Sequence, residues 1–268
     1  INANGYVNTN IPKWKTNFSF QPHVRYGFSN GHLNAWANFQ FRTRDMDADN
    51  RIKRYSWDFT GGKRVTQFNA DSKFLPMVNT FSTLLYGNNF MKTYENYFGN
   101  ISYRRRFENG LQFRINALYE NRIPLNNSTD FTFFKKDTIR LTPNYPYEII
   151  SEQFEQYQAV ILSASVSFRP GQKYIQLPYS KISMGSKFPL FTLTFSKGIY
   201  GIFGSDVDFD KWKISVVGDK NFRLGGLLKY RGGLGGFLNN NKVIIQDYHH
   251  FNGNQSVVAS EYVNSFQL

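Results

Sequence analysis

The sequence predicts an all-β fold, an antiparallel β-barrel carrying one short helical insertion around residues 74–96. Three observations carry this. Apolar and polar residues alternate with a period of two over runs of roughly 11 residues. Asn-Gly turn signals separate two of those runs. One segment alone moves to the three- and four-residue spacing of a helix.

The elements follow in chain order. After the polar string INANGYVNTN, the even positions Phe18, Phe20, Val24, Tyr26 and Phe28 are apolar, and Asn17, Ser19, Gln21, His23 and Arg25 lie between them. Beyond Ser29-Asn30-Gly31 the apolar set moves to odd positions: Leu33, Ala35, Ala37, Phe39 and Phe41. Asn30-Gly31 suits a two-residue type I′ turn, since both residues tolerate positive φ. The expected register then sets Phe28 opposite Leu33, Tyr26 opposite Ala35, Val24 opposite Ala37 and Phe20 opposite Phe41. A slip of one residue would mix the faces. KRYSWDF reads as the next strand. Within Asp71–Phe98, Leu75, Val78, Phe81, Leu84 and Leu85 give the helical insertion, which Gly87-Asn88-Asn89 ends or kinks. Tyr97, Ile101, Tyr103 and Phe107 open a second hairpin, which returns through Leu111, Phe113, Ile115, Ala117 and Tyr119. Its loop is Glu108-Asn109-Gly110, with Gly110 in the left-handed position. A polar loop, 123–153, precedes the strand QAVILSASVSF, and a loop punctuated by Pro and Gly, 169–189, precedes PLFTLTFSK. DKWKISVV, NFRLGGLLKYR and KVIIQDY complete the strands. The glycines of LGGLLKYRGGLGGF mark a bent wall.

Composition bounds the chemistry. The 268 residues include no cysteine, which excludes disulfides and thiolate metal sites. A net charge of +13 favours anionic partners: nucleic acid, lipid head groups or lipopolysaccharide phosphates. No run of about 20 apolar residues would form a membrane-crossing helix. No signal peptide opens the chain, and it stops at Phe266-Gln267-Leu268 on what reads as a rising strand. With no linker rich in Gly, Ser or Pro, residues 1–268 are expected to form a single barrel region of a longer protein.

Strand length then selects the kind of barrel. Soluble strands average about 5 to 6 residues, whereas a tilted strand crossing a bilayer needs about 9 to 11. The alternation here runs at the longer value. If the apolar faces point outward, Arg25, Arg42, Arg114, Asn116, Arg223 and Lys229 point inward, a polarity no small soluble barrel core accommodates. A transmembrane barrel inverts the usual order, with apolar residues on lipid and polar residues in the lumen. Phe20, Val24, Tyr26, Phe28, Leu33, Ala35, Ala37, Phe39 and Phe41 are therefore expected to face lipid, with Trp36 on the lumen side. Phe28, Tyr97, Tyr119 and Tyr230 suit interfacial aromatic girdles. The Asn-Gly turn, being tight, is expected on the periplasmic side.

No catalytic or metal motif emerges. Asp45-Met-Asp47-Ala-Asp49 and Asp206-Val-Asp208-Phe-Asp210 resemble cation loops, but the sixth and twelfth EF-hand positions hold Asn50 and Ser56, then Lys211 and Val217. His249-His250 would point to opposite faces of a strand and could not chelate one ion. Arg104-Arg105-Arg106, between Tyr103 and Phe107, reads as rim anchoring more than as a nucleic-acid patch. G-x-S-x-G, HExxH and phosphate-loop spacings are absent.

The strings VRYGFSNGHLNA, SWDFTGGKRVTQFN, NTFSTLLYGNNFMKTYENYF, ENGLQFRINALYENRIPLNNSTDFTFF, FRPGQKY, GSKFPLFTLTFSKGI, GSDVDFDKWK and HHFNGNQ span nearly the whole chain. Through them it resembles the barrel region of an outer-membrane protein family of unknown function. Fuller members carry an N-terminal carboxypeptidase-regulatory-like β-sandwich, followed by a barrel related to those of surface antigens and outer-membrane assembly factors. The resemblance implies residence in the bacterial outer membrane, no cofactor and no enzymatic activity. It also implies an incomplete barrel, because closing strands and a C-terminal aromatic residue are missing. The expected function is a non-catalytic subunit or scaffold of an envelope assembly or export complex, in contact with lipid, lipopolysaccharide and other envelope proteins. The rival readings are a diffusion channel with a cationic lumen for anionic solutes, an outer-membrane enzyme and, last, a soluble nucleic-acid-binding protein.

Overall fold

Each alternating run becomes a long strand that satisfies its backbone groups through its neighbours. The computed structural model describes residues 2–28, 31–46, 52–69, 76–133, 141–147, 150–177 and 180–250. In chain order the strands are β1 (Asn2–Asn4), β2 (Val7–Ile11), β3 (Thr16–Gly27), β4 (His32–Met46), β5 (Ile52–Gln67), β6 (Thr93–Arg106), β7 (Leu111–Pro124), β8 (Tyr157–Phe168), β9 (Lys173–Leu177), β10 (Ser180–Gly185), β11 (Leu190–Gly198), β12 (Asp208–Asn221) and β13 (Leu227–Lys242). The fold is all-β, with one helix, α1 (Pro76–Tyr86), between β5 and β6. An 11-stranded antiparallel sheet runs β3-β4-β5-β6-β7-β8-β11-β12-β13, and the short β1 and β2 line the free edge of β3. Among the described residues no pairing joins β13 back to that edge, so the wall is open there.

The first hairpin corrects the expected register. Tyr26 pairs with Leu33, Val24 with Ala35 and Phe20 with Phe39, so four residues, 28–31, span the turn instead of two. Gly31 keeps its positive φ of 63°, while Ser29 and Asn30 lie outside the described residues. A slip of two leaves every side chain on its own face, so alternation alone does not detect it. Cross-strand packing decides it. The observed register stacks Phe18 on Phe41 and Phe20 on Phe39, at centroid distances of 5.0 and 4.7 Å. It also joins Thr16 Oγ1 to Thr43 Oγ1 at 2.8 Å. Two aromatic pairs replace the single one of the tighter turn. Trp36 gains a partner as well: it stacks on His23 at 5.0 Å on the polar face.

Pairing of β4 with β5 ends at Trp36 opposite Gly62, whose φ is 136°. A Cβ there would lie 2.3 Å from the Ala35 carbonyl oxygen, so only glycine fits this crossing.

Other elements depart from the pattern for local reasons. The second hairpin turns over Glu108-Asn109-Gly110 as expected, closed by Phe107 N donating to Leu111 O at 2.8 Å, with Gly110 at φ 85°. The helix is shorter than the expected 71–98 span. It starts on Pro76 and stops at Gly87, whose φ is 70° and whose N–H reaches Thr83 O at 3.0 Å; Thr93 onward belongs to β6. The expected loop 169–189 contains β9 and β10, paired as a separate hairpin. Phe222–Gly226 turns between β12 and β13 with Arg223 at φ 58°, so Arg223 does not lie on a strand face. Ile245–Asp247 is a 3-10 turn and not the strand expected of KVIIQDY. The glycine run divides between that turn and a continuous β13.

Register can be read chemically, because the chain has no native cysteine. Directly paired Cα atoms sit about 4.5 to 5.5 Å apart, within disulfide reach, while partners two residues off lie beyond about 7 Å. Oxidation is expected to cross-link Val24→Cys with Ala35→Cys and not with Ala37→Cys. The reverse result would restore the two-residue turn.

Candidate functional site

The two faces of the sheet differ in chemistry, and their burial runs opposite to that of a soluble sheet. Along β8, Leu162, Ala164, Val166 and Phe168 are exposed, while Ser163, Ser165 and Ser167 between them are half-buried. The same order holds along β11, where Phe191, Leu193 and Phe195 are exposed and Thr192, Thr194 and Ser196 are half-buried. Register carries the apolar row onward from Leu193 to Ile214 and Leu234, the last 68% exposed. On the other side it reaches Val166, Phe113 and Arg105, then Tyr55 on β5. Of the residues expected to face lipid, Val24, Tyr26, Phe28, Leu33, Ala35 and Phe39 are exposed, and Phe20, Ala37 and Phe41 are half-buried. All but Phe28, which falls in the turn, lie on paired strands of this one face.

Along β5, β8 and β11 the polar face is sheltered and hydrogen-bonded across strands, whereas its arginines Arg42, Arg106 and Arg114 are exposed. Ser163 Oγ meets Ser196 Oγ at 2.9 Å, Ser167 Oγ meets Thr192 Oγ1 at 3.0 Å, and Thr60 Oγ1 donates to Asn38 Oδ1 at 3.1 Å. Gln40 Nε2 bonds Asp58 Oδ1 in the same layer.

At one rim this face closes into a buried ionic cluster. Arg122 on β7 is 3% exposed, and its Nε donates to Glu120 Oε2 at 2.8 Å. Its Nη1 donates to Tyr157 OH at 2.6 Å and to Asp247 Oδ1 at 2.8 Å. Tyr157 OH donates in turn to Gln246 Oε1 at 2.7 Å, and Asn96 Nδ2 donates to Glu120 Oε1 at 2.6 Å. Asp247 belongs to the segment after β13, so this segment crosses the ends of β12, β11 and β8 to reach β7. Lys211 Nζ holds its Asp247 carbonyl at 2.6 Å. Packed beneath are buried Tyr157, Ala159, Val207 and Phe209, against Phe154, Phe237, Val243 and Ile244. Nearby, Lys63 Nζ lies 2.8 Å and His32 Nδ1 2.9 Å from the buried Glu95. Glu95, Glu120 and Asp247 all serve as counter-ions to cationic side chains. No local pattern marks this cluster, because its members are separated by up to 125 residues.

The same rim carries a cap. Phe133 N donates to Leu84 O at 2.8 Å and Thr142 N to Gly87 O at 3.0 Å, so the long loop satisfies carbonyls at the C-terminal end of α1. Met77, Phe81, Phe131 and Phe133 remain exposed on this cap. The rim also holds the 28–31 turn and the 199–207 loop, while the opposite rim holds the 107–110 and 222–226 turns and the β9–β10 hairpin.

The remaining sequence motifs resolve into structural roles. Asp206 pairs with Lys242 at 3.4 Å, Asp210 with Lys197 at 2.9 Å, and Asp208 accepts from Asn239 and Asn241 at 3.0 Å each. The side chains of the 45–49 string lie outside the described residues. His250, off any strand, has Nε2 2.7 Å from Ile245 O. Arg104 and Arg106 share the polar face, whereas Arg105 lies over Phe107 at 4.8 Å, so the triplet forms no single patch. Among the described residues no three His, Asp or Glu gather as a metal site.

Burial of His250 holds its pKa below the usual histidine value of 6.5. The ring is neutral in the fold, so docking of residues 243–250 keeps its full strength above about pH 6.5 and weakens as pH falls toward the depressed folded value. Asp247→Asn strips Arg122 of a buried partner, a loss of about 3 to 5 kcal/mol. Hydrogen exchange, expressed as protection relative to the intrinsic rate at each pH, should show the amides of 243–250 less protected in Asp247→Asn and, in the native protein, less protected at pH 5 than at pH 7.5.

A family model described as the C-terminal domain of a family of unknown function (DUF5686) matches residues 1–268. No curated protein and no solved structure matches the chain.

Proposed function

The chain belongs to that family of unknown function, as its C-terminal domain, and we propose that it is a non-catalytic β-barrel region of the bacterial outer membrane. Its role in this reading is that of a subunit or scaffold in an envelope protein assembly or export complex. One observation carries the membrane part: exposed apolar side chains alternate with sheltered polar ones along β5, β8 and β11, and cross-strand register carries the apolar row from β5 to β13. In water such a face would be a contiguous exposed apolar surface of the kind that soluble monomers avoid. Against lipid it is the required arrangement, because the sheet's strands from β4 to β12 have neighbours on both sides and the row of apolar side chains faces outward. Strands of 9 to 16 residues in the long sheet match the length that a tilted crossing demands.

The assembly role is supported by the rim cap, where α1 and its loop hold Met77, Phe81, Phe131 and Phe133 outward as an apolar platform for another envelope protein. The sequence motifs support kinship with surface-antigen and assembly-factor barrels, and an N-terminal carboxypeptidase-regulatory-like sandwich ahead of this region. Lipid and lipopolysaccharide are its other partners; nucleic acid is not. A second reading, a diffusion channel for anionic solutes, is favoured by the arginines of the polar face, among them Arg42, Arg104 and Arg114.

An arginine at the bilayer midplane of a barrel's outer face costs about 2 to 4 kcal/mol. Leu193→Arg should therefore lower the stability of the liposome-reconstituted full-length protein by about that much in guanidinium titrations, while Ser165→Arg on the polar face changes it by less than about 1 kcal/mol. Equal effects, or a full-length protein that stays in the aqueous phase without detergent, would remove the membrane reading. Gentle detergent extraction is expected to bring down stoichiometric envelope partners, and planar-bilayer recording is expected to show no conductance. Anion-selective steps without partners would replace the scaffold with the channel.

A further inference from the structure

The polar face carries its cations unevenly, and cross-strand register locates them. Arg42 on β4 pairs with Ser56 on β5, Ser56 with Arg104 on β6, and Arg104 directly with Arg114 on β7. Three guanidiniums thus share one row over four adjacent strands, about 14 Å across at the usual strand spacing of about 4.8 Å. Arg106 stands two residues along β6 on the same face, its Nε donating to Gln112 Oε1 at 2.7 Å. Like charges set directly opposite one another weaken a sheet. Among the described residues little offsets this repulsion.

Among the described side chains, Asp58 is the carboxylate facing the row. Both its oxygens are engaged: Gln40 Nε2 bonds Oδ1, and Ser56 Oγ donates to Oδ2 at 3.3 Å. Among the described residues Arg104 Nε is buried with no acceptor. At the opposite end of the same face, Arg122 has its carboxylates and tyrosine in place. The contrast is between a cation cluster neutralised by the fold and one that is not. A buried donor left unmade is costly, and it persists where something outside the chain supplies the acceptor.

We propose that the row Arg42, Arg104 and Arg114, flanked by Arg106, is a binding site for a multivalent phosphoryl oxyanion. The guanidinium is a planar fork that pairs two donors with two oxygens of one phosphoryl group, and several forks in a row match an anion bearing several such oxygens. A monocarboxylate neutralises one of them and leaves the others facing like charge. The phosphoryl group comes from a soluble phosphate or from a phosphorylated lipid headgroup reaching in at the rim. The inference rests on the reading of the polar face as the water-filled side of the wall.

The test uses the full-length protein in detergent, with pyrophosphate as the probe. Calorimetric titration is expected to show binding that weakens at least tenfold in Arg104→Gln/Arg114→Gln and as the salt concentration rises, but not in Arg25→Gln. Equal affinity in the double variant, or an equal loss in Arg25→Gln, overturns the site. Should the double variant not fold, the native protein still decides: pyrophosphate should slow phenylglyoxal modification at Arg104 and Arg114, mapped by mass spectrometry, and absence of protection overturns the proposal. Competition by phosphatidic acid in mixed micelles assigns the site to lipid headgroups, and its absence assigns it to soluble anions. Membrane insertion without pyrophosphate binding removes this inference alone. Failure to insert removes the reading beneath it.

Discussion

The structure depends on one constraint: the long strands from β4 to β12 are paired with neighbours on both sides, and most of their apolar side chains leave on the one face that is more exposed. Backbone pairing fixes the wall, and period-two alternation then sorts the chemistry without a conventional core. The fully buried apolar side chains gather at one rim, around Val207 and Phe209, instead of along the sheet. Cohesion in the wall comes from cross-strand pairs: Phe18 with Phe41 and Trp57 with Tyr103 on the apolar side, Ser163 with Ser196 on the polar side.

The rim supplies what the wall lacks. There the sheltered face is crossed by the chain that follows β13, and the crossing is locked by Arg122 between Glu120, Tyr157 and Asp247. A buried guanidinium with three partners is satisfied, and its removal from any one of them leaves charge uncompensated in a dry place. The same rim carries α1 and its loop, which share hydrogen bonds through Asn79, Asn89 and Asn144. One end of the wall is thus a packed cap over an ionic cluster, and the other bears the tight turns and an arginine row. That asymmetry gives the two ends different capacities for partners.

The turns show how local signals compete with packing. Gly110 and Gly87 sit where their freedom in φ predicts, ending a strand and a helix. Asn30-Gly31 carries an equally strong turn signal, yet the hairpin opens to four residues because two stacked phenylalanine pairs and a threonine pair favour the wider register. Trp36, unexplained as an isolated lumen-side aromatic, finds His23 in that same register. At Phe222–Gly226 the alternation of Phe222, Leu224 and Leu228 suggested a strand, but Gly225-Gly226 turns the chain there.

The sequence by itself determined most of the long strands, their faces and the presence of one helix, because period two, period 3.6 and the glycines that stop them are local properties of the chain; it missed the β9–β10 hairpin and read a strand into the 3-10 turn at Ile245–Asp247. It also separated the apolar set, Val24, Tyr26, Leu33, Ala35 and Phe39 among it, from the polar set opposite. Only the tertiary structure decided the register within a face, since a slip of two residues is invisible to alternation. Nor does local pattern reveal that Arg122 meets Asp247, or that Arg104 meets Arg114 with so little counter-charge. Such meetings are set by which strands become neighbours and where the chain crosses them, and a single side chain carries no record of either.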